Sequence, residues 1–315
     1  MSWSRALLVA AILLAGCSQD RPETGDVADG PTAPAADCSP DRIADPGATT
    51  RTLTSEGVER SFILHVPRRY DGRAAVPLVL NFHGFGSNAG QQMAYSLFAS
   101  VADTENFLVA APEGQGTPSH FNFRDVPPGE TDDVMLATDL VDRLVDELCV
   151  DRDRIYVAGM SNGGVMAFAI ACRAADRFAA FGAVAALVWA PECSTARPVP
   201  VIGFAGTDDR IVPFEGGEVA CCGRPRVPPA TETMANWATH NRCEATPRET
   251  EPAPRVRLLR YEGCAPGSAV DFYVVEGGGH DWPGAPLTGA TSINATTVLW
   301  RFFAQHERGQ SHSRS

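Results

Sequence analysis

Arg154-Ile155-Tyr156-Val157-Ala158-Gly159-Met160-Ser161-Asn162-Gly163-Gly164-Val165-Met166-Ala167 is the stretch on which the fold is decided. Ile155 to Ala158 are strand formers that run straight into a turn of small residues, and an apolar, helix-compatible stretch begins at Val165. Between them, Gly159-x-Ser161-x-Gly163 fits a strand-to-helix elbow, in which a serine is held with its hydroxyl clear of the backbone. Glycines flank the serine because so tight a turn leaves no room for side chains. The five-residue pattern means little alone. It gains meaning from a strand before it and a helix after it, and both are legible here.

Moving outward, Val76 to Phe82 is a nearly continuous apolar run, as expected of a strand covered on both faces. It ends in His83-Gly84-Phe85-Gly86. Arg60 to Val66 alternates as an edge strand does. A helical stretch around Gln92 to Asn106 precedes a second buried strand, Phe107 to Ala111, and a Gly/Pro-rich loop, Pro112 to Gly129, follows it. Asp132-Asp133 opens a long helix in which Val134, Ala137, Val141, Leu144, Val145 and Leu148 recur at helical spacing. Phe181 to Leu187 and Val199 to Phe204 read as apolar strands, and Pro213 to Thr231 as an irregular insertion carrying Cys221-Cys222. Glu232 to Asn241 reads as a helix, Val256 to Tyr261 and Ala269 to Val275 as strands, and Ser292 to His306 as a closing amphipathic helix. Buried strands alternating with helices specify an α/β class with a doubly wound, mostly parallel sheet. Ligands of such sheets sit at the carboxyl ends of the strands.

Three features fall at those ends in the order Ser, Asp, His, which is the order of the α/β-hydrolase fold. Ser161 is on the elbow. The strand ending at Ala205 leads into Gly206-Thr207-Asp208-Asp209-Arg210, and the strand through Val275 leads into Gly277-Gly278-Gly279-His280-Asp281-Trp282. A serine hydroxyl is a poor nucleophile until a base takes its proton, a task suited to His280. The histidine needs a carboxylate to fix its tautomer, and spacing leaves Asp208 and Asp209 both open. The backbone N–H groups of Asn162 and Phe85 are the candidate oxyanion donors. Phe85, Phe121, Phe123, Trp189 and Trp282 are aromatic residues near these loops. His83 and Trp282 are the expected substrate contacts among the loop residues.

The chain of 315 residues carries a formal charge of −12, which argues against nucleic acid as a partner. Its basic residues are all arginine, which excludes a lysine nucleophile or Schiff base. Arg5 followed by the apolar Ala6 to Leu14 reads as a signal peptide over residues 1–16, too short to span a bilayer. Leu14-Ala15-Gly16-Cys17 resembles a bacterial lipobox, so Cys17 is the expected lipid-attachment site and membrane anchor, at the cell exterior side. Residues 17–49 read as a disordered tether, 50–306 as the catalytic domain and 307–315 as a disordered tail. Eight cysteines remain beyond Cys17, an even number that suggests disulfides in an exported chain. No C-x-x-C pair exists and the histidines are scattered, so neither a metal nor any other cofactor is expected.

Together these motifs resemble the poly(3-hydroxybutyrate) depolymerase-like and feruloyl esterase-like serine esterases of carbohydrate esterase family 1 type. The matching segments are Asn81-Phe82-His83-Gly84, Asp132-Asp133-Val134, Arg154 to Gly164, Gly206 to Pro213, and Gly278-Gly279-His280-Asp281-Trp282-Pro283-Gly284. The resemblance implies an exported serine esterase acting on feruloyl, hydroxybutyrate or short acyl esters, with Asp209 rather than Asp208 as the acid. It also implies paired cysteines near the last strands. Cys243, just past a helix, and Cys264, just past a strand, are the expected pair. Two departures stand out: Ala205 where the family has histidine, and Asp281 where it has threonine. An acid beside His280 could compete to be its partner. An acyltransferase or peptidase on the same fold, or a binding protein that has lost catalysis, are the competing readings.

Overall fold

Val76–Phe82 is a strand with every residue buried, in a computed structural model that describes Cys38, Arg42 and residues 44–309 apart from 125, 189–192, 194–195 and 287–291. The elements run β1 (Gly47–Ser55), β2 (Val58–Val66), β3 (Val76–Phe82), α1 (Ala89–Ser96), α2 (Phe98–Glu105), β4 (Leu108–Pro112), α3 (Asp133–Glu147) and β5 (Val150–Met160). They continue with α4 (Asn162–Arg173), β6 (Ala180–Val184), β7 (Pro200–Gly206), β8 (Gly217–Glu218), β9 (Arg226–Val227), α5 (Ala230–His240), β10 (Arg248–Ala253), β11 (Val256–Tyr261), β12 (Ala269–Val275) and α6 (Ala295–Phe303).

The described strands form one ten-stranded sheet in the order β1-β2-β4-β3-β5-β6-β7-β12-β11-β10, and β8 and β9 pair separately. The six central strands, β4 through β12, are parallel, and antiparallel pairs flank them on both sides. This is the α/β-hydrolase architecture that the alternation of elements specifies. Side chains of β5 alternate between the faces: Ile155 and Val157 join the core under α3, α4 and α5, while Tyr156 and Ala158 join the core under α2 and α6. Both faces are therefore dry, which is why the parallel strands read as unbroken apolar runs.

Helix α3 shows how local sequence sets an element. Asp132 caps it by accepting the Val134 N–H at 2.9 Å, and Leu136, Leu140 and Leu144 lie fully buried along one face. Each such leucine stabilises the fold by about 1.5–3 kcal/mol through removal from water, so truncating Leu140 to alanine breaks the packing of α3 on the sheet.

Four readings of the sequence are corrected. The expected helix around Gln92 to Asn106 is two helices, because Leu97 adopts a left-handed conformation (φ 59°) that ends α1 and starts α2. Strands β1 and β10 lie outside the elements expected. The folded domain begins before residue 50: Cys38 is disulfide-bonded to Cys149, and Arg42 donates to the carbonyls of Val145 (2.7 Å) and Leu148 (3.1 Å) at the end of α3. Tyr70 completes the attachment, donating to the Arg42 carbonyl and accepting the Cys149 N–H, each at 2.7 Å. At the other end, residues 307–309 are held rather than loose, since the Arg308 N–H donates to the Asp153 carbonyl at 2.8 Å. The signal segment 1–16, Cys17 and residues 310–315 lie outside the described residues.

All eight cysteines beyond Cys17 are paired, as Cys38–Cys149, Cys172–Cys193, Cys221–Cys222 and Cys243–Cys264.

Candidate active site

Between β5 and α4, Ser161 has φ 54° and ψ −120°, a left-handed conformation that costs a non-glycine residue about 1–3 kcal/mol. The strain is held by backbone bonds on both sides: the Ser161 N–H donates to the Val184 carbonyl (2.8 Å), and the Val165 N–H donates to the Ser161 carbonyl (2.9 Å). The flanking glycines follow from contact. A Cβ on Gly159 would collide with the Gly163 carbonyl, and one on Gly163 with the carbonyl of Phe82 at the end of β3. The elbow is therefore wedged against the neighbouring strand.

The loops after β7 and β12 lock onto each other. Asp208 N–H donates to Gly278 O (2.9 Å), Thr207 N–H to Val275 O (3.0 Å) and Gly277 N–H to Thr207 Oγ1 (2.8 Å). A Cβ on Gly206 would strike the Gly278 carbonyl, so this close approach requires glycine. The lock brings His280 to Asp209, whose Oδ2 accepts the His280 Nδ1–H at 2.8 Å. Asp209 Oδ1 accepts two further donors, the N–H groups of Ile211 and Val212, each at 2.8 Å. Asp209 is buried, whereas Asp208 is exposed. Asp281 does not compete for the histidine, because it faces α1 and its Oδ1 accepts the Tyr95 hydroxyl at 3.3 Å.

The glycine turn after β3 lies against the serine: a Cβ on Gly84 would sit 3.3 Å from Ser161 Cβ and 3.9 Å from its Oγ. The glycine turn that leads into Phe85 therefore touches the serine side chain, and Asn162 follows the serine directly in the chain. The Asn162 side chain spans to the next loop, accepting the Phe121 N–H (2.8 Å) and donating to the Phe121 carbonyl (3.3 Å).

His83 and Trp282, the expected substrate contacts, are both buried, at 0% and 1% exposure, which corrects that reading. Gly114 N–H donates to His83 Nε2 (2.9 Å) while His83 Nδ1–H donates to Gly84 O (2.8 Å), so the ring ties the glycine turn to the loop after β4. Burial pushes the His83 pKa down, against the smaller upward pull of its bond to Gly84 O and of Glu113. Trp282 donates from Nε1 to Thr296 Oγ1 (2.9 Å) and packs edge-on against Phe98, anchoring the His280 loop to α6. Of the other aromatic residues, Phe121 is core, Phe85 is 37% exposed and Phe123 lines the cleft, while Trp189 lies outside the described residues.

Asp133 opens α3, as the sequence specifies. Its buried side chain also ties the preceding loop, paired with Arg60 (2.7 Å) and accepting the Asn122 N–H (2.6 Å) and Gln115 Nε2–H (3.1 Å). Burial raises its pKa and Arg60 opposes the rise. Its sequence signal was the second acid of Asp132-Asp133, one more than a helix cap needs.

A cleft of about 380 Å³ opens beside Ser161 and Asn162. Its walls are mostly aliphatic, including Val165, Leu187, Val212 and Val219, with Arg124, Arg173 and Arg226 also contributing. Among the described residues, no group of three or more His, Cys, Asp or Glu is placed to hold a metal ion. A serine on a strained elbow and a histidine oriented by a carboxylate are parts that acyl transfer uses.

The model of the prolyl oligopeptidase family matches residues 94–196, which include the elbow. NocK, a candidate esterase of Nocardia uniformis subsp. tsuyamanensis, is 31% identical over 93% of this chain and 95% of its own length. Feruloyl esterase B of Piromyces equi is 31% identical over 70% of this chain, which spans 42% of that longer protein. Feruloyl esterase C of Emericella nidulans is 27% identical over 82% of this chain and 90% of its own. Among solved structures, the acetyl xylan esterase from Aspergillus awamori superposes with a TM-score of 0.61 at 13% identity, covering 81% of this chain and 99% of its own. That likeness concerns the fold.

Proposed function

Because the chain belongs to the feruloyl esterase-like family of α/β-hydrolases, we propose that it is an extracytoplasmic serine esterase that hydrolyses carboxylic esters through an acyl-enzyme on Ser161. The observation that carries this reading is the 2.8 Å Asp209–His280 bond held at the strand ends that also carry the Ser161 elbow. Ser161 Oγ attacks the ester carbonyl carbon and His280 Nε2 takes its proton, while Asp209 keeps the other ring proton on Nδ1. The N–H groups of Phe85 and Asn162 receive the charge that develops on the carbonyl oxygen. The bond to the alcohol oxygen breaks as His280 returns the proton to it. Water then attacks the acyl-serine with His280 again as base, releasing the carboxylic acid and restoring Ser161.

The aliphatic cleft beside Ser161 supports an acyl group larger than acetyl, since about 380 Å³ greatly exceeds what a methyl group fills. Relatives named as feruloyl esterases support a hydroxycinnamoyl group as that class. Four disulfides support an oxidising compartment outside the cytoplasm. Residues 1–16 serve as a signal peptide and Cys17 as a lipid anchor in this reading; intact-mass measurement of the mature chain, with and without Cys17→Ser, tests that part. The prolyl oligopeptidase match favours a second reading, amide hydrolysis by the same residues. A panel of aryl, hydroxybutyrate and acetate esters beside peptide amides, run with the wild type and Ser161→Ala, decides between them. Serine-dependent turnover of amides alone would overturn the esterase reading.

A further inference from the structure

The four disulfides differ in what they can do for the fold. Cys38–Cys149 spans 111 positions, and Cys172–Cys193 and Cys243–Cys264 span 21 each, so each closes a loop that the unfolded chain would otherwise sample. Cys221–Cys222 joins neighbours and closes no such loop. Its contribution lies elsewhere, and its position shows where. The pair sits in the turn between β8 and β9, where Arg224 N–H donates to Cys221 O (2.8 Å) and Cys222, Gly223 and Arg224 all have positive φ. Val219 N–H closes the hairpin onto Pro225 O (2.8 Å). Ala220 N–H donates to Ile211 O (2.8 Å), tying the hairpin to the turn whose N–H groups hold Asp209. Both cysteines line the Ser161 cleft, beside Val219, Val227 and Pro228 of the same insertion.

The small ring formed by adjacent cysteines is rigid, apolar and polarisable, a surface suited to an apolar group rather than to a hydrogen-bonding one. We propose that the Cys221–Cys222 ring is the specificity-determining wall of the cleft, contacting the acyl group carried on Ser161 and selecting esters with bulky apolar acyl groups over acetate. This rests on the serine esterase reading. The ring acts by position: it adds contact area to a large acyl group and none to an acetyl group, which ends close to Ser161.

The test compares p-nitrophenyl octanoate with p-nitrophenyl acetate for the wild type, the double variant Cys221→Ala/Cys222→Ala, and Val227→Trp, which keeps the disulfide but fills the adjoining wall. Loss of apolar contact should lower the octanoate-to-acetate ratio of kcat/KM by about tenfold or more in the double variant, mainly through KM. Val227→Trp should lower the same ratio. An unchanged ratio in the folded double variant, or equal losses on both esters, overturns the proposal. If the double variant fails to fold, an unmoved ratio in Val227→Trp overturns it. Absence of Ser161-dependent turnover in the wild type removes the esterase reading and this inference together, whereas an unmoved ratio in an active enzyme removes this inference alone.

Discussion

Replacing Asp209 with asparagine changes one atom, and the surroundings of that carboxylate determine the outcome. Oδ1 of Asp209 accepts the N–H groups of Ile211 and Val212, and Oδ2 accepts the His280 Nδ1–H. An asparagine keeps its oxygen on the two backbone donors, because flipping would lose both bonds, at about 0.5–1.5 kcal/mol each, and set an NH₂ against two N–H groups. Its amide nitrogen must then face His280 and donate to Nδ1. The ring proton moves to Nε2, the nitrogen that must accept from Ser161, and the base is lost. A tautomer defect of this kind lowers kcat by about 10,000-fold, equivalent to about 5 kcal/mol of transition-state stabilisation. Folding stability should change little, since the same side-chain volume and hydrogen-bond count are kept. Asp208→Asn is the control: its side chain is exposed and makes no described hydrogen bond, so turnover should stay within about threefold. Initial rates on a chromogenic short-chain ester, with thermal melting to verify folding, measure both variants. Retention of more than about a tenth of wild-type turnover by Asp209→Asn, or a larger loss in Asp208→Asn, would contradict Asp209 as the acid.

Two further predictions concern stability. The Cys243–Cys264 bond spans 21 positions, so Cys243→Ser and Cys264→Ser should each cost about 3 kcal/mol on the chain-entropy model, and the double variant little more; denaturant melts check this. His83 provides a pH signature. Burial holds its folded pKa below histidine's ordinary value of about 6.5, so the unfolded chain takes up a proton first on acidification. The stability associated with neutral His83 is present above that value and is lost as pH falls towards the folded pKa. Thermal midpoints between about pH 7.5 and 5 should therefore fall more steeply for the wild type than for His83→Gln, and parallel curves would contradict the assignment.

What the sequence revealed depended on whether a residue's state is set locally. The elbow was legible because Gly159, Ser161 and Gly163 answer to clashes within a few residues and with one neighbouring strand. The central strands were legible because both faces are buried and their patterns unbroken. Strands β1 and β10 were not, because they are mostly exposed edge strands rich in Thr and Glu, and only pairing with β2 and β11 makes them strands. Proline- and alanine-rich chain before residue 47 reads as tether, yet a distant cysteine and the carbonyls at the end of α3 hold it. Asp208 and Asp209 are indistinguishable by spacing; the donors that select Asp209 come from a turn whose shape no local pattern encodes. His83 and Trp282 stand beside chemistry in the sequence but point inward, where they fix the loops that position it.

Covalent trapping reports whether Ser161 is the nucleophile of a hydrolase. The protein is treated with a serine-reactive p-nitrophenyl phosphonate, digested and mapped by mass spectrometry, with ester turnover followed in parallel. One adduct is expected, on the peptide containing Ser161, forming as activity disappears. Ser161→Ala should take no label and lose turnover by about a million-fold. Labelling at another residue, or turnover that survives in Ser161→Ala, would rule out Ser161 as the nucleophile.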